Sequence, residues 1–296
     1  MTTRYRDPVP RQRRLRPGVA VLGVWGLVTW LAGCSVVVDA NRAQCSIDKD
    51  CTDRGAEFAG AVCQAGLCVA NQQWSCDAIA PADAPSYKLT MHLQDAVLMS
   101  PLPGVVGQLC RKLDVTCEHP IGEPFVADGE GVIKTPIEAG FDGYVLLTDP
   151  DSKIAPSLYF LTPPAQGDVD LPSVPLASPF VAAGIVRSAG GTTWLSDRGI
   201  VLLTAFDCQG KAAANIEFSV GGTPAPDSFI FYLVNTLPTT NVSVTDETGY
   251  AGLVNMPEGV TTISALLAPS ERKVSKISVL VRRGFISYSG VTPNSL

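Results

Sequence analysis

The chain has 296 residues, 46% of them hydrophobic, with 27 Gly, 23 Pro and a formal net charge of −6. That apolar content excludes a disordered chain, and the Gly and Pro counts point to turn-rich β-structure. Once the first 33 residues are set aside with their six arginines and one acid, 16 basic and 27 acidic side chains remain, a net charge of −11 that repels nucleic acid and anionic headgroups.

Arg4, Arg6, Arg11, Arg13, Arg14 and Arg16 precede an uncharged run from Pro17 to Gly33, the layout of an export signal with its n-region and h-region. The run closes on Leu31-Ala32-Gly33-Cys34, which resembles the lipobox of bacterial lipoproteins. By that resemblance residues 1–33 are a signal peptide, and Cys34 takes the lipid and becomes the mature N-terminus. Ser35 after the cysteine, in place of Asp, implies sorting to the outer membrane. The alternative is an uncleaved transmembrane helix, because the uncharged run continues to Val38.

Residues 34–78 are expected to form a disulfide-rich module. Cys45, Cys51, Cys63, Cys68 and Cys76 stand among few large apolar residues, so covalent bridges must supply the restraint a core cannot. With Cys110, Cys117 and Cys208 they make eight, an even number suited to an oxidising compartment, and eight cysteines allow 105 pairings. Cys110 and Cys117 flank a loop short enough for a local bridge. Zinc is the rival reading, but neither the spacing nor a nearby His matches a finger. Asp48, Asp50 and Asp53 lack the Gly and distal Glu of a calcium loop and read as a solvated acidic turn.

After a Pro/Ala linker, Leu89, Met91 and Leu93 alternate with Thr90, His92 and Gln94 as in a half-buried strand, opening a first β-sandwich over residues 86–162. Residues 163–198 hold five prolines from Pro163 to Pro179, a linker or extended crossing segment, and then a short helix near Phe180 to Val186, capped by Ser178. Residues 199–296 form the second sandwich, with strands expected at Ile200–Phe206, Ile216–Val220, Val242–Val244, Leu253–Val254, Ile263–Leu267, Ile277–Val281 and Phe285–Tyr288.

The two stretches look like a degenerate repeat: Val126-Ala127-Asp128-Gly129-Glu130-Gly131 matches Val244-Thr245-Asp246-Glu247-Thr248-Gly249, each followed by a Gly-led strand. This pattern resembles the transthyretin-like sandwich of carboxypeptidase regulatory-like domains, most clearly over 199–292. The fold class implied is mainly β: two antiparallel Ig/transthyretin-like sandwiches, the disulfide module and a signal helix. The resemblance makes the Asp and Gly positions turn-formers, and it does not call for Cys208 in the first turn. As a whole, the arrangement resembles uncharacterised lipoproteins of Gram-negative bacteria.

Catalytic chemistry finds little support. Intradiol dioxygenases of this sandwich type hold iron with two Tyr and two His, whereas this chain has only His92 and His119 and no matching Tyr pair. No G-x-S-x-G elbow and no phosphate-binding loop is present, and paired carboxylates cannot be recognised from spacing. No catalytic residue, metal ligand or cofactor is assigned. Trp194, Phe229 and Tyr232, with Phe231 and Tyr288, are candidates for a sugar- or protein-binding platform, although core packing is the commoner role of such aromatics. The expected function is therefore that of a non-enzymatic, lipid-anchored envelope protein, structural or protein-binding. The alternatives are a carbohydrate- or peptidoglycan-binding lipoprotein and an enzyme with an unrecognised site.

Overall fold

The computed structural model describes residues 43–55, 58, 61–70, 74, 76, 85–190, 192–222 and 225–293. The signal segment and Cys34 lie outside them. The cysteine module opens with helix α1 (Asp48–Thr52), followed by a hairpin of β1 (Ala61–Gln64) and β2 (Leu67–Ala70). Cys45–Cys63 and Cys51–Cys68 pin the segment before α1, and α1 itself, to facing hairpin positions. Among its described residues Cys45, Cys51 and Ala61 form a small buried cluster, with Phe58 packed against them, so the bridges stand in for a core.

The first repeat comprises β3 (Ser86–Asp95), β4 (Val106–Arg111), β5 (Ile121–Val126), β6 (Val132–Glu138), β7 (Gly143–Thr148), β8 (Ser157–Phe160) and β9 (Val169–Leu176). Helix α2 (Pro179–Gly190) follows. The second repeat comprises β10 (Gly199–Ala205), β11 (Ile216–Val220), β12 (Phe229–Val234), β13 (Leu237–Thr239), β14 (Tyr250–Met256), β15 (Gly259–Leu267), β16 (Arg272–Val281) and β17 (Ile286–Val291). Both repeats follow one plan. The sheet β6-β3-β9 corresponds to β14-β10-β17, with β9 and β17 each running parallel to its neighbour. The facing strands β4, β7 and β8 correspond to β11, β15 and β16.

The repeats are not separate beads. β8 pairs in parallel with β17, from Ser157↔Ile286 to Phe160↔Ser289, and this joins one sheet of each sandwich into a single nine-stranded sheet, β13-β12-β14-β10-β17-β8-β7-β4-β5. One face of that sheet shares a core with β6-β3-β9 and α2, through residues such as Leu89, Val145 and Ile286. The other face packs on β11-β15-β16, through Leu158, Val201 and Ile263. Alternation explains the division: Leu158 and Phe160 of β8 point to the second core, while Tyr159 and the next residue after the strand, Leu161, pack on the first. Leu89, Met91 and Leu93 of β3 are fully buried, and each contributes about 1.5–3 kcal/mol.

The Pro-rich stretch expected as a linker or crossing segment supplies β9, which completes the first sandwich. Pro172 and Pro175 are tolerated because β9 is an edge strand. The expected helix is α2, where Ser178 Oγ accepts the Val181 N–H. Val242–Val244, expected as a strand, lies instead in an irregular segment, and Val242 is exposed. β12 and β13 occupy the sheet edge beside β14 in its place.

Two further bridges tie the body. Cys110–Cys117 closes the loop after β4. Cys76–Cys208 fastens the end of the cysteine module to the turn after β10. Beside it Trp74 is buried in the second core, and its carbonyl accepts a hydrogen bond from Arg272. Cys208, unrequired by the general sandwich pattern, is thus the attachment point of the N-terminal module.

Candidate functional site

The repeat's conserved geometry is a pair of turns. Asp95 and Asp207 end β3 and β10, and each accepts two backbone N–H bonds through Oδ1, from Val97 and Leu98 in one case and from Gln209 and Lys211 in the other. Asp128 Oδ1 accepts the N–H groups of Glu130 and Val132, while Asp246 Oδ1 accepts the N–H and hydroxyl of Thr248. Gly131 and Gly249 then donate back to the carbonyls of Asp128 and Asp246. These carboxylates hold turns together.

Their titration follows from this role. The Val132 N–H holds Asp128 below the usual carboxylate range, the His119 N–H does so for Asp114, and the Ser46 and Ile47 N–H groups do so for Asp50. Partial burial opposes the shift at Asp246, yet bonds from Thr248 and Asn235 still lower it. A carboxylate depressed in the folded state stabilises the fold above its unfolded value of 3.8, and that contribution is lost as pH falls through the depressed value. The urea midpoint should therefore drop steeply below about pH 4. Asp128→Asn with Asp246→Asn should flatten that acid limb, and a limb equally steep in the double variant would refute the assignment.

His92, on β3, is half-buried and lies 3.9 Å from Asp170, and His119 sits in a loop with its N–H on Asp114. Neither imidazole is hydrogen-bonded to a Ser, Cys or Tyr hydroxyl or thiol among the described residues. The sulfurs of Cys45, Cys51 and Cys68 lie within 4.8 Å of one another, but all three are in disulfides, so this cluster offers no thiolates to a metal. Asp48 accepts the Cys63 N–H, Asp50 accepts those of Ser46 and Ile47, and Asp53 pairs with Lys49; the three acids of that turn point to separate partners.

The aromatic candidates are not assembled into a platform. Trp194 and Phe229 are half-buried at the margin of the first core, and Trp194 Nε1 donates to the Arg198 carbonyl. Tyr232 is buried in the second core on the opposite face of β12, where its hydroxyl accepts the Phe218 N–H. Alternation along the strand separates Tyr232 from Phe229 and Phe231. Tyr288 is buried in the first core and stacks on Tyr159 at 6.2 Å, and burial raises both phenols, Tyr159 to about 12.

Surface features remain. A groove of about 560 Å³ lies along β15 and β16, with Val220, Met256 and Val260 as its apolar lining and Lys273 and Lys276 beside them. A second, of about 430 Å³, sits where β8 and β17 end, lined by Tyr159, Leu161, Pro163, Pro164 and Phe206, with Asp168. The turn after β3 exposes Val97 (61%), Leu98 (76%) and Met99 (54%), and Phe180 at the start of α2 is 87% exposed. Sequence reasoning passed over this turn. Its signal was four successive apolar residues, Ala96 to Met99, directly after a turn-forming Asp where polar residues are usual.

No protein-family model matches the chain, and no curated protein matches it. Solved structures to which the chain is similar include the TIE protein of Bacillus anthracis, at 15% identity over 71% of this chain and 35% of that one, with a TM-score of 0.26. A streptococcal ancillary pilin is similar at 14% identity over 73% of this chain and 64% of that one, TM-score 0.26. BcpA, the major pilin subunit of Bacillus cereus, is similar at 10% identity over 71% and 100%, TM-score 0.25. The chain spans about a third of the TIE protein and somewhat less than two thirds of the ancillary pilin.

Proposed function

We propose that this chain is a non-enzymatic protein of the cell envelope, held to the membrane by lipid on Cys34, whose fused sandwiches act as a rigid body presenting a protein-binding surface. The observation that carries the reading is the placement of the two ends. β10, β17, β8 and β4 share one direction in the nine-stranded sheet, because β10 and β8 are each parallel to β17, while β7 runs antiparallel to both β8 and β4. The Cys76–Cys208 attachment lies where β10 ends, and the Val97–Met99 turn lies where β4 begins. A chain tethered through its N-terminal module thus displays the exposed apolar turn at the end opposite the attachment. Among the described residues no helix is long and apolar enough to cross a membrane.

Cys34→Ser tests the anchor, since a hydroxyl cannot take the thioether-linked lipid. The expected product is an uncleaved precursor or a soluble chain that no longer partitions into detergent. A mature-sized, detergent-partitioning protein from that variant would sink the lipid anchor, and an unchanged membrane-bound precursor-sized chain in both forms would favour a transmembrane helix.

A further inference from the structure

The Val97–Met99 turn is built to hold its apolar side chains outward. Asp95 Oδ1 accepts the N–H groups of Val97 and Leu98, the Asp95 carbonyl accepts the Met99 N–H, and the Asp95 N–H donates to Ser100. Met99 has φ +53°, a backbone state that L residues adopt at a cost. Four bonds to one residue fix the loop, so little conformational freedom is lost when it docks.

Its rim is acidic. A Cβ at Gly131 would lie 3.3 Å from Pro101 Cβ, which places the Asp128–Gly131 turn, with Glu130, against the same loop. Ala96 N–H donates to Leu176 and Ala155 N–H to Ala177, which brings Asp149 and Asp151 to the same end. The one base of that turn, Lys153, is paired with Asp151 at 2.7 Å. An anionic bilayer is repelled by such a rim, and a groove with a basic rim is its complement.

The groove along β15 and β16 has such a rim, with Lys273 and Lys276 beside a mixed lining in which Val220 and Val260 alternate with Thr261, Thr262 and Ser264. Its apolar lining includes Val260, 62% exposed, and no carboxylate lines it among the described residues. A register shift between Ala265 and Leu266 sets Lys273 opposite Leu266 and Lys276 opposite Ser264, and both lysines are exposed on the outer side of the sandwich. The second groove is the more apolar, but it has Asp168 in its lining and no base, so it suits the acidic turn less well. In the second repeat the matching turn, Asp207–Lys211, is already a point of attachment, for Cys76.

We infer that the Val97–Met99 turn of one chain docks in the Lys273/Lys276 groove of a second copy. This deepens the reading of the body as a protein-binding surface and does not depend on the anchor. The two patches differ, so the contact is heterologous and can repeat from copy to copy. Leu98 and Met99 are the apolar anchors, and the charges set register.

Reciprocal charge reversal on the full-length protein in a non-ionic detergent tests it, with association read by sedimentation velocity across a wide concentration range. One variant carries Lys273→Glu and Lys276→Glu, the other Glu130→Lys and Asp151→Lys; these acids leave the Asp128 and Asp149 turn bonds in place. Each variant alone places like charges together and should sediment as a monomer. Their equimolar mixture places opposite charges together and should recover the concentration-dependent shift of the natural chain. Leu98→Asp should abolish the shift, with circular dichroism confirming its fold. A natural chain that stays monomeric at near-millimolar concentration, or variants that associate as the natural chain does, would overturn the inference. Either result would leave the Cys34 test untouched.

Discussion

Replacing Cys76 and Cys208 together by serine is expected to lower the stability of the body by about 5 kcal/mol and its Tm by about 10–20 °C. The bridge closes a span of 132 residues, the longest of the four, and the chain-entropy cost of an open loop grows with the logarithm of its length. The same reasoning gives only about 2 kcal/mol for Cys110–Cys117, whose span is 7 residues. Thermal and urea melts of both double variants decide the matter. Trp74 gives a second readout: it is 6% exposed in the second core, and its fluorescence should shift to the red if the freed segment lifts away. Equal losses from the two bridges would show that strand packing alone determines stability and that the long tether adds nothing.

The parts of the fold that could be read from the sequence were those that depend on local chemistry. Alternation along Leu89–Leu93 marked β3, Ser178 marked the start of α2, and the Asp-to-Gly spacing at 128–131 and 246–249 marked matching turns. The edge-to-edge fusion was hidden, because nothing in Ser157–Phe160 or Ile286–Ser289 says that the two segments pair with each other. Pairing of strands far apart in sequence is set by the shape of the assembled cores, not by residues at one position. The aromatic candidates divide between the two cores for a related reason. Phe229 and Tyr232 are three apart, a spacing that on a strand sends them to opposite faces. The exposed turn was missed because apolar residues in a run suggest burial. Val97, Leu98 and Met99 are instead exposed, on a turn that the hydrogen bonds of Asp95 fix.

Gly249→Ala is expected to cost about 3 kcal/mol, and Gly131→Ala a similar amount, because two separate penalties meet at each site. The first is conformational: φ is +70° at Gly249 and +71° at Gly131, a region where a Cβ costs about 1–2 kcal/mol. The second is steric. A Cβ at Gly249 would lie 2.5 Å from the Ala205 carbonyl and 3.1 Å from the Ala213 nitrogen, and one at Gly131 would lie 2.6 Å from the Leu93 carbonyl and 2.9 Å from the Leu102 nitrogen. In each repeat those backbone atoms are bonded to each other, Ala213 N–H to the Ala205 carbonyl and Leu102 N–H to the Leu93 carbonyl, while the Ala205 and Leu93 N–H groups donate to the Gly249 and Gly131 carbonyls. Relief of the clash must therefore stretch a bond at the end of β10 or β3. Gly210 separates the two penalties, since its φ is +74° while nothing lies within 4 Å of its would-be Cβ. Gly210→Ala should cost only the conformational part, about 1–2 kcal/mol. Urea denaturation of the three variants gives the comparison directly. Losses at Gly131 and Gly249 no greater than at Gly210 would mean that the close approach of backbone to turn is not what holds the repeat's two strands in register.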